Sequence, residues 1–152
     1  GNSIATKVGK DGSWKNALVT SRVMESGKHR ISFKGVADDL ALMVGVVRDG
    51  AAWNEDHGLK VSTNGWLMYT YYGGLGLYGN GKFNSDAAGE IKDGQIVTVE
   101  LNADAGTLKF WVDGKSHGPG YTSGVQGRLR WAASVYDEGN AVQIVPTPEL
   151  DE

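Results

Sequence analysis

The sequence contains no cysteine and only 3 prolines among its 152 residues. Without cysteine, disulfides, thiolate catalysis and cysteine-based zinc sites are excluded. There is no run of about 18 apolar residues, which a membrane-spanning helix would need. The sequence also carries no signal peptide and no Asn-X-Ser/Thr sequon. We therefore expect an intracellular, cytoplasmic protein.

Neither sign of charge dominates the composition. Lys and Arg number 15 and Asp and Glu number 18, which gives a net charge of −3. This balance does not favour nucleic acid or an anionic membrane surface as a partner. A chain of this length with 40% hydrophobic residues can bury one core. Because it begins at Gly1 without a methionine, we expect residues 3–150 to form a single domain excised from a larger protein.

Glycine, in contrast, is abundant, with 23 residues. Several glycines follow Asp or Asn, and such pairs tolerate the positive φ of two-residue hairpin turns. Between these turns, apolar residues alternate with a period of two, for example in residues 42–47, 96–101 and 107–112. This pattern places one set of side chains in a core and the other toward solvent or a neighbouring layer. No ten-residue segment has a helical stripe, so the sequence predicts an all-β, two-sheet antiparallel β-sandwich with essentially no helix.

Two more specific structural predictions follow from the same periodicity. The clearest hairpin joins residues 95–102 to residues 107–113 through a turn at 103–106. The side chains predicted to be buried are Ile31, Phe33, Val44, Val46, Val97, Val99, Leu101, Leu108, Phe110, Val112, Ala133, Val135 and Ile144.

Two glycine motifs match signatures of enzymes but lack the required context. Residues 74–79 fit the dinucleotide fingerprint G-x-G-x-x-G, and residues 114–118 fit the nucleophile elbow G-x-S-x-G. Both motifs function only when a helix follows, and here turns follow instead. The three histidines lack metal-ligand spacing, and no set of carboxylates suits glycoside cleavage. We therefore expect a protein that is not an enzyme, with no catalytic residues, no metal site and no cofactor.

Several segments resemble, in the same order, the motifs of SPRY (B30.2-type) domains. Residues 93–101 and 106–115 are similar to the central hairpin of that family, "dGD-x-v-x-v-x-l-D … g-x-l-x-F-x-x-n/d-G". Further similar segments are residues 26–33, 42–47, 65–66, 77–82 and 124–136. The resemblance implies a jelly-roll sandwich of the concanavalin-like type. It also implies a non-catalytic module whose loops at one end bind a protein or a short peptide segment, often as the substrate-recruiting part of a larger protein. We expect a monomer.

Candidate partner-binding residues come from two sources. By resemblance, the site uses the loop before residue 26, with Arg22, Met24 and Glu25, and also the segment before residues 65–66 and the position of Tyr136. From the residues themselves, a binding loop should combine aromatic and polar side chains, because Tyr and Trp provide large contact areas at low entropic cost. Such loops contain Trp53, Asn54, Glu55 and Asp56 in one case and Tyr136 and Asp137 in the other.

Other interpretations of these residues remain open. Trp53 could instead cap the core, and Tyr136 could lie against a sheet edge. The main functional alternative is a carbohydrate-binding, lectin-like sandwich, in which Trp53 or Trp66 would stack on a sugar ring. No lectin-type strand motif and no Asp/Asn cluster for calcium supports that alternative.

Overall fold

A computed structural model describes residues 4–6, 16–36, 42–50, 64–70, 76–79, 82–84, 91–135 and 140–151. These ranges contain strands and turns but no helix, and so no helix of the length and apolarity needed to cross a membrane. The strands are β1 (Ile4–Thr6), β2 (Asn16–Val19), β3 (Lys28–Val36), β4 (Leu42–Arg48), β5 (Gly65–Thr70), β6 (Gly76–Gly79), β7 (Lys82–Asn84), β8 (Ile96–Asn102), β9 (Thr107–Val112), β10 (Lys115–Ser116), β11 (Leu129–Val135) and β12 (Ala141–Val145).

The strands form two six-stranded antiparallel sheets. The order in the first sheet is β1-β12-β3-β8-β9-β10, and in the second it is β2-β11-β4-β5-β6-β7. Buried apolar side chains of both sheets, such as Phe33 and Phe110 from the first and Val44 and Met68 from the second, join in one core. The predicted all-β sandwich is therefore confirmed.

The predicted core is confirmed as well. Of its thirteen members, eleven are buried, and Ile31 and Ile144 are half-buried side chains that pack against the same core. The buried eleven are Phe33, Val44, Val46, Val97, Val99, Leu101, Leu108, Phe110, Val112, Ala133 and Val135. Period-two alternation thus identified the inner face of both sheets correctly.

The predicted central hairpin is formed by β8 and β9, with Leu101 opposite Leu108. The Ala105 amide donates to Asn102 Oδ1 at 3.0 Å, and Gly106 takes the positive φ of 72° that the end of the turn requires. The next turn places Asp113 and Gly114 at φ 50° and 81°. Asp and Gly occupy these positions because both tolerate the left-handed region.

The described residues of both enzyme-like glycine motifs lie in strands and turns. Residues 76–79 of the first motif are β6, which pairs with β7 in a hairpin. The second begins at the β9–β10 turn and continues through β10. Neither strand leads into a helix among the described residues, and Gly76, Gly79 and Gly114 belong to β-hairpins, as predicted.

Candidate functional site

Four connections of the sandwich meet at one end, which we call the Arg128 end. It comprises residues 20–27, 48–50, 103–106 and 121–128. Backbone hydrogen bonds hold these segments together. Met24 and Leu129 exchange two such bonds of 2.7 and 3.1 Å, and the Asp49 amide donates to the Arg128 carbonyl at 2.7 Å. The Ala103 amide donates to the Gly27 carbonyl at 2.8 Å, so the end is a fixed surface made from four distant parts of the chain.

Charged side chains of these segments form one network. Arg130 Nε donates to Asp49 Oδ1 at 2.8 Å, and Arg128 Nε donates to Asp49 Oδ2 at 3.4 Å. Arg128 also donates through Nη1 to Glu25 Oε1, and Arg130 Nη1 donates to the Ser21 carbonyl at 2.8 Å. The hydrogen bond and charge of Arg130, with a smaller contribution from Arg128, lower the pKa of Asp49 below its ordinary value of 3.8 despite partial desolvation. Asp49 is therefore ionised at neutral pH.

A third arginine at this end covers an aromatic ring. The Arg48 guanidinium lies 4.7 Å from the centroid of the Trp66 ring, within cation–π range, and its Nη1 donates to the Gln126 carbonyl at 3.1 Å. Gly127 follows at φ 120°, and a Cβ there would lie 3.0 Å from Arg48 Nη1. Arg48 is thus held between the indole and the backbone of the 121–128 loop.

Tyr121 attaches that loop to the second sheet. Its hydroxyl donates to the Leu67 carbonyl at 2.9 Å, and burial raises the pKa of Tyr121 above its ordinary value. The ring lies so close to Gly79 that a Cβ on that residue would approach it within 2.7 Å. The Tyr121 backbone also exchanges two hydrogen bonds of 2.9 Å with Leu108. Tyr121 therefore connects the β9 edge to β5 and β6 and fixes the base of the loop.

The chemistry available at this end is that of hydrogen bonding and ion pairing. Within the described ranges, no group of three His, Asp or Glu side chains is close enough to hold a metal ion. The guanidinium groups of this end donate hydrogen bonds to carboxylates and carbonyls of the chain itself. Guanidinium groups can form the same kind of bond with the polar surface of another molecule.

Comparison with known proteins places this geometry in a known fold. No family model matches the sequence, and no curated protein matches it. Among solved structures, the SPRY domain of human HERC1 is 23% identical, with a TM-score of 0.73 over 91% of this chain and 86% of that one. A human SPRY domain is 16% identical, with a TM-score of 0.72 over 99% of both chains. The TRIM65 PSpry domain is 14% identical, with a TM-score of 0.66 over 88% of this chain and 72% of that one.

The chain has the SPRY fold. The resemblance read from the sequence motifs is thereby confirmed at the level of the fold. The motif segments occupy the strands expected of them, since residues 93–101 and 106–115 contribute the paired strands β8 and β9 of the SPRY fold.

The predicted site residues separate into three groups within this SPRY fold. Arg22 and Glu25 are exposed at the Arg128 end. Met24, between them, is only 1% exposed and belongs to the core, so its inclusion among the partner-binding residues is corrected here: its side chain anchors the segment from within. The remaining candidates lie outside the described residues, and they are Trp53, Asn54, Glu55, Asp56, Tyr136 and Asp137.

The strands that lead into those two undescribed segments end at opposite ends of the SPRY fold. Strand β11 pairs with β4 so that Leu129 is opposite Arg48 and Val135 is opposite Leu42. The six residue steps between the two pairs span about 20 Å. The end of β4, which precedes residues 51–58 in sequence, therefore belongs to the Arg128 end, whereas the end of β11 at Val135 lies on the other side.

Sequence reasoning missed Arg48, Asp49, Arg128 and Arg130. A weak signal was present, because Arg128 and Arg130 are two residues apart in an extended segment and so project to the same side. Their partner Asp49 could not be read from the sequence, since it is 81 positions from Arg130. Only the β4–β11 pairing brings them together.

Proposed function

We propose that this chain is a non-catalytic interaction module that binds a protein or a short peptide segment through the Arg128 end. One observation carries the proposal: backbone hydrogen bonds fix four connections at that end, and three of them, with the start of β11, present a continuous network of charged side chains. A rigid base with specific groups on its loops is the usual arrangement of a recognition surface. The SPRY fold agrees with this role.

The side chains of the network differ in their exposure to solvent. The side chains of Asp49 and Arg130 are 28% and 29% exposed, whereas those of Glu25 and Arg128 are 56% and 60% exposed. Exposed ion pairs contribute little to stability, about 0.2–1 kcal/mol. The Glu25–Arg128 pair can therefore open and exchange its partners for charges on a bound protein at little cost to the fold.

Arg22 adds an available cation. It is exposed, and it forms no hydrogen bond or ion pair with any residue that the structure describes. Together with Arg128 it favours a partner that carries carboxylates, while Glu25 and Asp49 keep the surface mixed in charge. Such a surface suits a polar peptide and contributes more to orientation and on-rate than to raw affinity.

A defined peptide probe tests the proposal. Peptides are selected from a phage-displayed random library on the intact chain, and the best synthetic peptide is titrated by calorimetry. We expect Arg22→Ala and Arg128→Ala each to weaken binding about tenfold, as charged contacts at an interface do. The control is Lys92→Ala, an exposed lysine beside the opposite end of β8, which should leave binding unchanged. Binding within about twofold of the parent for both arginine variants would contradict the proposal.

The same assay tests the candidate binding residues that lie outside the described ranges. Trp53→Ala and Tyr136→Ala, each checked for folding by circular dichroism, report whether those loops contribute. Glycan-array binding that a free sugar abolishes, with no peptide selected, would favour the carbohydrate-binding alternative instead. The buried position of Trp66, which is 4% exposed beneath Arg48, removes one of the two rings on which that alternative depended.

A further inference from the structure

The segment after β12, residues 146–151, crosses the outer face of the first sheet. Val145, the last residue of β12, pairs with Ser32 of β3, and the chain then leaves the sheet plane. Ser32 Oγ donates to Thr147 Oγ1 at 2.9 Å and lies 2.7 Å from Thr98 Oγ1 of β8. Ser32 and Thr98 are 1% and 0% exposed. This segment, which we call the tail, begins its crossing over these two hydroxyls.

The tail ends at the β9–β10 turn, where its backbone is recognised. Trp111 Nε1 donates to the Asp151 carbonyl at 2.8 Å, and the Asp151 amide donates to the Gly114 carbonyl at 2.7 Å. A Cβ on Gly114 would lie 2.3 Å from the Glu149 carbonyl oxygen. At this end of the tail the sheet therefore binds the main chain and leaves the side chains of residues 149 and 151 free to vary.

Ser32, Trp111 and Gly114 contact the tail, and Thr98 hydrogen-bonds to Ser32 beneath it. We call these four residues the tail groove. Trp111 is 7% exposed because the tail covers one part of its ring and Arg30 lies 5.8 Å from the ring centroid. The groove spans β3, β8 and β9, a distance that six extended residues can cross.

The charges of groove and tail are complementary. Arg30, Lys34 and Lys109 lie on the outer face beside the groove, because they alternate with inward residues such as Phe33 and Phe110. Glu100 balances Arg30, through an ion pair of 2.5 Å. The tail contributes Glu149 and Asp151, whose exposed carboxylates form no ion pair with any described residue. The outer face beside the groove thus carries net positive charge and the tail net negative charge, a complementarity that does not depend on one fixed ion pair.

We propose that the tail groove is a binding site for an extended acidic peptide, and that residues 146–151 occupy it as an internal ligand. A partner peptide with the same backbone pattern and flanking carboxylates competes with the tail. The tail has the advantage of attachment, since a short linker gives an effective concentration in the millimolar range. The groove is therefore closed to weak ligands and opens to a partner when the tail detaches. It lies on the sheet face and does not depend on the function proposed for the Arg128 end.

The experiment uses the full chain and a synthetic peptide with the sequence of residues 146–152. A release variant combines Thr147→Val, which removes the acceptor for Ser32, with Asp151→Pro, which removes the amide donor to Gly114. Calorimetry should show that the peptide binds the release variant at least about tenfold more tightly than it binds the parent chain. A peptide with its three side-chain carboxylates replaced by amides should bind the release variant more weakly and with less dependence on salt.

Matched glycine variants in the release background separate groove occupancy from backbone strain. Gly114→Ala should abolish peptide binding, because its Cβ takes the space of a tail carbonyl. Gly94→Ala is the control, since Gly94 has a similar φ of 77° with nothing within 4 Å of the added Cβ. Trp111→Phe, which keeps a ring but loses the indole N–H, is a second groove variant that should weaken binding.

Three outcomes would overturn the proposal. The first is a release variant that binds the peptide no better than the parent does. The second is equal binding by the Gly94→Ala and Gly114→Ala variants together with unchanged binding by Trp111→Phe. The third is a concentration-dependent dimer of the parent chain, seen by ultracentrifugation and lost in the release variant, which would make the tail of a second copy the occupant.

Discussion

The outer faces of the two sheets differ in chemistry although both belong to strands with the same period of two. On the first sheet the outer face carries Lys109 and Arg30, both exposed, and it is crossed by a tail that binds through hydrogen bonds. On the second sheet the outer set includes Met43, Leu67 and Tyr69, which are 0%, 1% and 5% exposed. The outer face of the first sheet is thus polar, whereas the outer face of the second sheet is apolar and buried.

The difference shows what alternation can and cannot predict. Alternation divides each strand into two sets, and the identity of the second set decides whether its face is solvated. In β4 both sets are apolar, as in a strand buried on both faces, and its residues 42–47 are all buried. In β9 the second set begins with Thr107, which is partly exposed, and Lys109, which is exposed. It ends with Trp111, which is buried and is covered by the tail.

The largest effect is expected on the inner face, which the two sheets share. Phe110 is 1% exposed at the centre of the core. Phe110→Ala should lower the free energy of unfolding by about 3–5 kcal/mol, because a ring-sized cavity remains. Urea denaturation followed by circular dichroism measures the loss. A loss of less than about 1 kcal/mol would mean that the assignment of inner and outer faces is inverted.

The comparison of the two outer faces is tested directly by a pair of truncations. Met43→Ala on the second sheet should cost about 2–5 kcal/mol, as expected for a fully buried methionine. Lys109→Ala on the first sheet should change stability by less than about 0.5 kcal/mol, because the side chain is exposed. Denaturant midpoints of both variants, measured side by side, give the contrast. Equal losses of stability in the two variants would contradict the distinction between a polar outer face on the first sheet and an apolar outer face on the second.

The third predicted effect, on the pH dependence of stability, concerns Asp49, which directly follows the apolar strand β4 at the Arg128 end. Its pKa lies below the ordinary value of 3.8 in the folded state, so its contribution to stability is fully present above that value. The contribution is lost as the pH falls through the lowered folded-state pKa. In Asp49→Asn this part of the acid dependence should be absent, as urea unfolding between about pH 5 and pH 2 can measure.

Lys109→Ala is the control for this titration, because its exposed side chain lies on the outer face of the first sheet, outside the Asp49 network, and the variant should keep the acid dependence of the parent. If the Asp49→Asn profile runs parallel to that of the parent over the whole pH range, the ionisation of Asp49 does not contribute to the acid dependence of stability, and the prediction is wrong.

Met24 illustrates the limit of the sequence-based prediction of the site. A resemblance placed residues 22–25 near a partner, and Arg22 and Glu25 are indeed exposed. Whether the side chain between them points outward depends on the bridge that Met24 forms with Leu129, 105 positions away, which turns it into the core. Local sequence motifs therefore identify the segment but do not determine the direction in which each of its side chains points.

The sequence by itself determined the class of fold, the inner faces and the central hairpin, because alternation and Asp-Gly turns act over a few residues. Tertiary structure alone decided the Arg128 end and the tail groove. Arg128 meets Glu25 across 103 positions, and Ser32 meets Thr147 across 115. Such pairs depend on the order and register in which strands assemble, and no local pattern encodes that register.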